Sequence, residues 1–189
     1  MNHTRDDAWN LLCEWTASES LRRHALGVER VMRALARKHG GDEEAFGLAG
    51  LLHDFDYERH PDINEHCKVG AGVLEARGYP AEVVRAVLAH NPVHGVPADT
   101  TMARCLVAAD ELVGFVVACA LVRPGKDIGT LEAPSVRKRL KEKRFAASVD
   151  RAEIARGVEL LGVELDEHVT FIIEALRPIA ADLGLTSSR

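Results

Sequence analysis

Apolar residues recur at every third or fourth position through most of this chain, and strand-like alternation is scarce. The stripe is cleanest where Leu21, His24, Ala25, Val28, Val31, Met32 and Leu35 share one helical face. A short first helix is predicted over 7–15, and Thr16-Ala17-Ser18-Glu19 has the capping-box form that opens a second, which runs to about Lys38. Gly40-Gly41 stops that helix, and Asp42 caps a third over 43–54. Beyond a loop, a fourth over 65–77 aligns His66, Val69, Gly70 and Val73. Gly78-Tyr79-Pro80 restarts the chain into a fifth, which carries Val83, Val87 and His90 and breaks at Asn91-Pro92. A long sixth opens at Thr100 and lines up Leu106, Ala109, Asp110, Val113 and Val117 before Arg123-Pro124-Gly125 ends it. A seventh starts at Pro134-Ser135 and stays basic through Arg144, and an eighth is capped by Asp150 and ends near Gly162. A ninth over 166–183 carries a kink at Pro178. The expected fold class is all-α: one domain over 1–189, with a core over 21–122 and a C-terminal helical extension over 126–189.

Composition narrows the function classes. The net charge of -5 and pI near 6.0 argue against a nucleic-acid polymer as partner, since such proteins carry a basic domain or stripe. Acids at Asp6 and Asp7 occupy the place where a secretion signal needs an apolar run. The most apolar stretch, 112–122, is half a membrane span and follows Asp110-Glu111, so no membrane partner is expected. Cys13, Cys67, Cys105 and Cys119 form no CxxC pair and read as small core thiols of a reducing, cytoplasmic protein. The nine histidines are what the composition leaves to explain.

His24, His53, His66, His90 and Asp110 each sit on or at the end of an apolar stripe, and Asp54 adjoins one of them. A single such histidine is ordinarily a core residue with a backbone partner. Six such groups together change the picture, because an ionised aspartate buried alone costs several kcal/mol and needs cations or strong donors. Imidazoles and carboxylates converging between helices form a donor set that borderline divalent metals favour. Neighbours on a helix point about 100° apart, so His53 and Asp54 can share a metal only where the helix ends. The following Phe55-Asp56-Tyr57 and His60-Pro61-Asp62 suit such an end, and Asp56 is placed to orient a ligand histidine.

In order and context, His24 in Arg23-His24-Ala25-Leu26-Gly27-Val28, the doublet in Leu51-Leu52-His53-Asp54, and Asp110 in Ala108-Ala109-Asp110-Glu111-Leu112 resemble the H…HD…D pattern of the HD-domain metal-dependent phosphohydrolase superfamily. His66 in His66-Cys67-Lys68-Val69-Gly70-Ala71 and His90 in Val87-Leu88-Ala89-His90-Asn91 resemble the extra pair of its binuclear members. The resemblance spans 21–122 and implies an HD-type helical bundle with additional C-terminal helices. It implies one divalent metal ion on His24, His53, Asp54 and Asp110, and a second on Asp54, His66 and His90, drawn from iron, manganese or magnesium. Water activated by these metals would attack phosphorus, with Asp54 as the catalytic carboxylate.

The implied substrate is a small phosphorylated molecule, a nucleotide foremost, cleaved at a phosphoester or phosphoanhydride. Several family branches carry glycine and lysine where this chain has Asp56 and Tyr57, which speaks against a cyclic-dinucleotide phosphodiesterase. The spacing is closer to small binuclear members, including hydrolases of dinucleoside polyphosphates. Two alternatives use the same residues: a metal-stabilised binding or regulatory module without turnover, and a di-iron oxygenase on the same scaffold. Arg123, Lys126, Arg137 and Lys138 are the candidates for the substrate phosphate, although a basic run is ordinarily a solvated helix face. His60 and His94 are expected outside the ligand set, and His3, His39 and His168 at the surface.

Overall fold

The computed structural model describes residues 3–186, and these are all-α. The helices are α1 (Arg5–Trp15), α2 (Glu19–His39), α3 (Glu43–Leu52), α4 (Lys68–Ala76), α5 (Ala81–His90), α6 (Thr101–Leu121), α7 (Ala133–Leu140), α8 (Arg151–Leu161) and α9 (Leu165–Leu176). No strand occurs among the described residues; one isolated bridge pairs Asp127 with Thr186. The chain divides into two compact units, one up to Leu106 and one from Val107 onward, so the division falls inside α6. No helix among the described residues is long and apolar enough to cross a membrane.

The first unit is built on α3, which is buried on every side from Ala45 to Leu52, as a helix apolar all round must be. Helices α1, α2 and α5 pack against it. Gly50 sets the spacing to α2: a Cβ there would lie 2.9 Å from both Cα and N of Glu29. Glu29 is itself buried, and its carboxylate is matched by Arg5 at 2.7 Å and Arg33 at 3.0 Å. Asp42 caps α3 as expected, and Gly40 ends α2 in the left-handed conformation at φ 71°.

Three local expectations change. The cap of α2 is Ser18, because the Thr16 hydroxyl is buried and donates to the Phe55 carbonyl at 3.0 Å. A capping box does form, at Thr4 and Asp7 ahead of α1. Helix α4 begins at Lys68, three residues later than the periodicity predicts, because Cys67 takes φ 70°. A left-handed non-glycine residue costs roughly 1–2 kcal/mol. Asp56 holds it there: its Oδ2 accepts the backbone N–H of Cys67 at 3.0 Å and of Gly70 at 2.7 Å. Gly70 permits this approach, since a Cβ would lie 2.9 Å from that oxygen.

In the second unit, α8 seats on α6 at Gly157, where a Cβ would come 2.6 Å from Ala108 Cα. His168, expected at the surface, is buried and pairs through Nε2 with the Ala108 carbonyl at 3.0 Å. The predicted kink at Pro178 is instead a helix end. Helix α9 stops at Leu176 and a 3-10 turn, Arg177–Ile179, follows.

Candidate metal centre

Helix α3 ends at Leu52, and His53 to Arg59 run in consecutive turns, which gives the doublet the opening it needs. His53 is fully buried and Asp54 is partly exposed, and their side chains meet at 3.3 Å, Nε2 to Oδ2. His24, half-buried on α2, brings its Nε2 to 3.3 Å from that of His53. The other oxygen of Asp54 meets a second pair. His66 Nε2 lies 3.0 Å from Oδ1, and His90 Nε2, on the last residue of α5, lies 3.3 Å from it. One carboxylate therefore faces imidazoles on both of its oxygens, all within the first unit. His24, His53 and Asp54 each offer a ligand atom within 4.8 Å of the others.

The far nitrogens decide what this cluster requires. Nδ1 of His53 meets the Gly50 carbonyl at 2.8 Å, Nδ1 of His90 meets the Val87 carbonyl at 2.6 Å, and Nδ1 of His66 meets Asp56 Oδ1 at 2.9 Å. Each of these partners only accepts, so each Nδ1 carries the proton. A neutral ring then presents a bare Nε2 lone pair, and all three lone pairs face Asp54 oxygens. Acceptor against acceptor is unfavourable unless positive charge lies between them, supplied by extra protons or by cations. The donor set thus fits divalent metal ions, with the outer nitrogens already anchored as metal-ligating histidines need.

The titration behaviour expresses the same demand. Burial alone would raise the Asp54 carboxyl, but the charge of His53 and the hydrogen bonds from His53, His66 and His90 hold it well below the usual carboxylate range. Burial works to lower the His66 imidazole, yet hydrogen bonds to Asp54 and Asp56 push it up to about 12. Burial likewise opposes the charged form of His90, but Cys67 and Asp54 raise it well above its ordinary value.

Two side chains beside the cluster matter. Asp56 is buried and spends Oδ1 on His66 and Oδ2 on two backbone amides, so it orients the ring, as the sequence led us to expect. Cys67 was read as a plain core thiol, but its Sγ lies 3.5 Å from Nε2 and 3.7 Å from Nδ1 of His90. That near-equality puts the sulfur alongside the ring and off the axis along which Nε2 offers its lone pair. Burial opposes ionisation of the thiol, and the His90 charge and hydrogen bonds to His66 and His90 outweigh it. Adjacency to His66 was the only signal in the sequence.

His94, expected outside the ligand set, pairs through Nε2 with the His66 carbonyl at 2.6 Å. His60 faces Glu65 at 3.1 Å. Asp110 is half-buried on α6, four residues past Leu106. The four residues expected to meet phosphate all lie in the second unit. Arg123 donates to Thr130 Oγ1 at 2.9 Å, and Lys126 is exposed. Arg137 is ion-paired with Asp166 at 3.3 Å, and Lys138 is exposed on α7.

Comparison with known proteins completes the picture. The HD domain family matches residues 21–113. Ribonuclease Y of Sulfurovum sp. is 32% identical over 137 residues, which are 71% of this chain and 25% of that protein. Ribonuclease Y of Lactobacillus acidophilus is 32% identical over 111 residues, 58% of this chain and 19% of that protein. The chain spans a quarter or less of the length of these relatives. No solved structure matches. HD domains bind divalent metals and most are metal-dependent hydrolases, and the matched span contains every histidine and aspartate of the pattern. This chain belongs to the HD-domain metal-dependent phosphohydrolase superfamily.

Proposed function

We propose that this protein is a cytoplasmic, divalent-metal-dependent phosphohydrolase that cleaves a phosphoester or phosphoanhydride of a small molecule, a nucleotide foremost. The observation that carries this reading is the division of Asp54: Oδ2 faces His53, and Oδ1 faces His66 and His90. A carboxylate shared in this way suits a bridge between two cations. His24 and His53 would hold the first with Asp110, whose part rests on the family pattern, and His66 and His90 would hold the second. Two such ions, when bound, polarise phosphate oxygens and lower the pKa of a water. The chain's own work is positional. Gly50, Val87 and Asp56 fix three rings so that each presents Nε2, and Asp54 would be the carboxylate that handles the proton of the attacking water. Arg123, Lys126, Arg137 and Lys138 are proposed contacts for substrate phosphate, with Arg123 and Lys138 ahead of Arg137, whose charge is already matched.

The resemblance to two ribonuclease Y proteins favours a second reading, a phosphodiester in RNA. The acidic balance of this chain weighs toward the smaller substrate. The discriminating experiment loads the protein with manganese and compares hydrolysis of mononucleotides, dinucleoside polyphosphates and short RNA. Release of phosphate from nucleotides, lost in Asp54→Ala, supports the proposal. Cleavage of RNA alone would replace it.

A further inference from the structure

The basic residues of the second unit do not all lie spread on a solvated face. A cleft of about 390 Å³ between the end of α6 and α7 gathers Arg123, Ser135, Lys138 and Arg139 along its lining, with Leu131 buried beneath and Glu142 as the one acid. That volume lies within the ~300–1,000 Å³ range of small-molecule sites. Three cations and one carboxylate leave a local charge of +2 on a chain whose net charge is -5. Such concentration against the average creates a field selective for anions.

The donors are also largely uncommitted. Among the described residues the Arg123 guanidinium makes one hydrogen bond, to Thr130, and Lys138 has no ion-pair partner. Arg139 is half-committed, bonded to Glu142 at 2.9 Å with its guanidinium 4.8 Å from the Phe145 ring centroid. A fork of guanidinium donors, an ammonium and a hydroxyl is the donor set that phosphate oxygens take. The apolar floor offers a place for an attached organic body, which a bare inorganic ion would not use.

We propose that this cleft is a binding site for a phosphate group, independent of any metal and of the histidine cluster. Its charge and floor suit the phosphate of a nucleotide-sized ester. The proposal shares Arg123 and Lys138 with the substrate contacts proposed above but uses no residue of the histidine cluster, so metal-free phosphate binding here and hydrolysis at that cluster can fail separately.

The test takes the full chain freed of metal by a chelator that is then removed. It is titrated separately with inorganic phosphate and with adenosine monophosphate, followed by amide NMR. The expected result is saturable shifts at Arg123, Ser135, Lys138 and Arg139. Lys138→Gln, at an exposed position, should weaken binding about tenfold, as loss of one close cation implies. Glu142→Gln should tighten binding by removing the opposing charge, an effect that a merely structural role would not produce. Tighter binding of adenosine monophosphate than of inorganic phosphate would assign the site to a nucleotide ester, and equal binding to free phosphate. Absence of saturable shifts with both probes, shifts confined to the histidine cluster, or unchanged affinity in both variants would overturn the proposal.

Discussion

The two units handle charge in opposite ways. In the first, five histidine and aspartate side chains turn inward, and three imidazoles point lone pairs at one carboxylate. In the second, charged side chains pair with one another at partly or fully exposed positions, Arg137 with Asp166, Arg156 with Glu153 and Arg139 with Glu142. Exposed pairs of this kind contribute about 0–1 kcal/mol each. The inward cluster is different in kind: as built, it is unfavourable until cations or protons enter. A fold keeps such a cluster for what it binds, because stability alone would be better served by apolar packing.

The contrast is broken most severely by Asp54→Ala. That change removes the acceptor common to His53, His66 and His90, and should abolish hydrolysis by about a thousandfold or more, with loss of metal at both positions. Parallel activity and metal assays on the purified variant check this. Asp56→Asn is milder. It keeps the ring of His66 in place but weakens its anchor, so metal affinity should fall about 10–100-fold while the fold survives, as competition against a chromophoric chelator would show.

A third effect depends on pH and has opposite signs with and without metal. In chelated protein the His66 pKa is raised from 6.5 to about 12, so its stabilisation is complete below 6.5 and drains away as pH climbs toward 12. Melting temperature of the stripped protein should therefore fall between about pH 6.5 and pH 9. With metal present it should rise over the same window, because protons compete for the same nitrogens. Melts with and without chelator across that window check both signs. At the small end, Arg137→Gln should change stability by no more than about 0.5 kcal/mol, since Arg137 is itself exposed and its partner Asp166 is only half-buried. Denaturant titration would register a larger loss if that ion pair were structural.

Much of this was legible in the sequence. The stripe of α2, the Gly40 stop and the Asp42 cap appear where the periodicity places them, and of the histidines singled out in the sequence three face Asp54 while His24 meets one of them, His53. His66 arrives by a different route from the one its spacing indicates. The 3–4 pattern runs unbroken from His66 to Val73, and nothing in it signals that Cys67 adopts a left-handed conformation. Only the three-dimensional reach of Asp56 to two amides makes that turn affordable. The capping box was misplaced for a similar reason. Thr16 has the right neighbours for a cap, but its hydroxyl is drawn to a carbonyl 39 residues away. His168 was assigned to the surface because one helical face is hard to tell from the next without knowing what packs there. Local signals thus located the elements, while the details that tertiary hydrogen bonds override had to be seen.

Metal content per chain, measured by elemental analysis on protein purified without chelator and reconstituted with manganese or iron, decides whether Asp54 serves two metal ions. The shared carboxylate predicts about two equivalents in the wild type and about one in His66→Ala, whose Asp54 still faces His53. One equivalent or none in the wild type, or an unchanged count in His66→Ala, would contradict it.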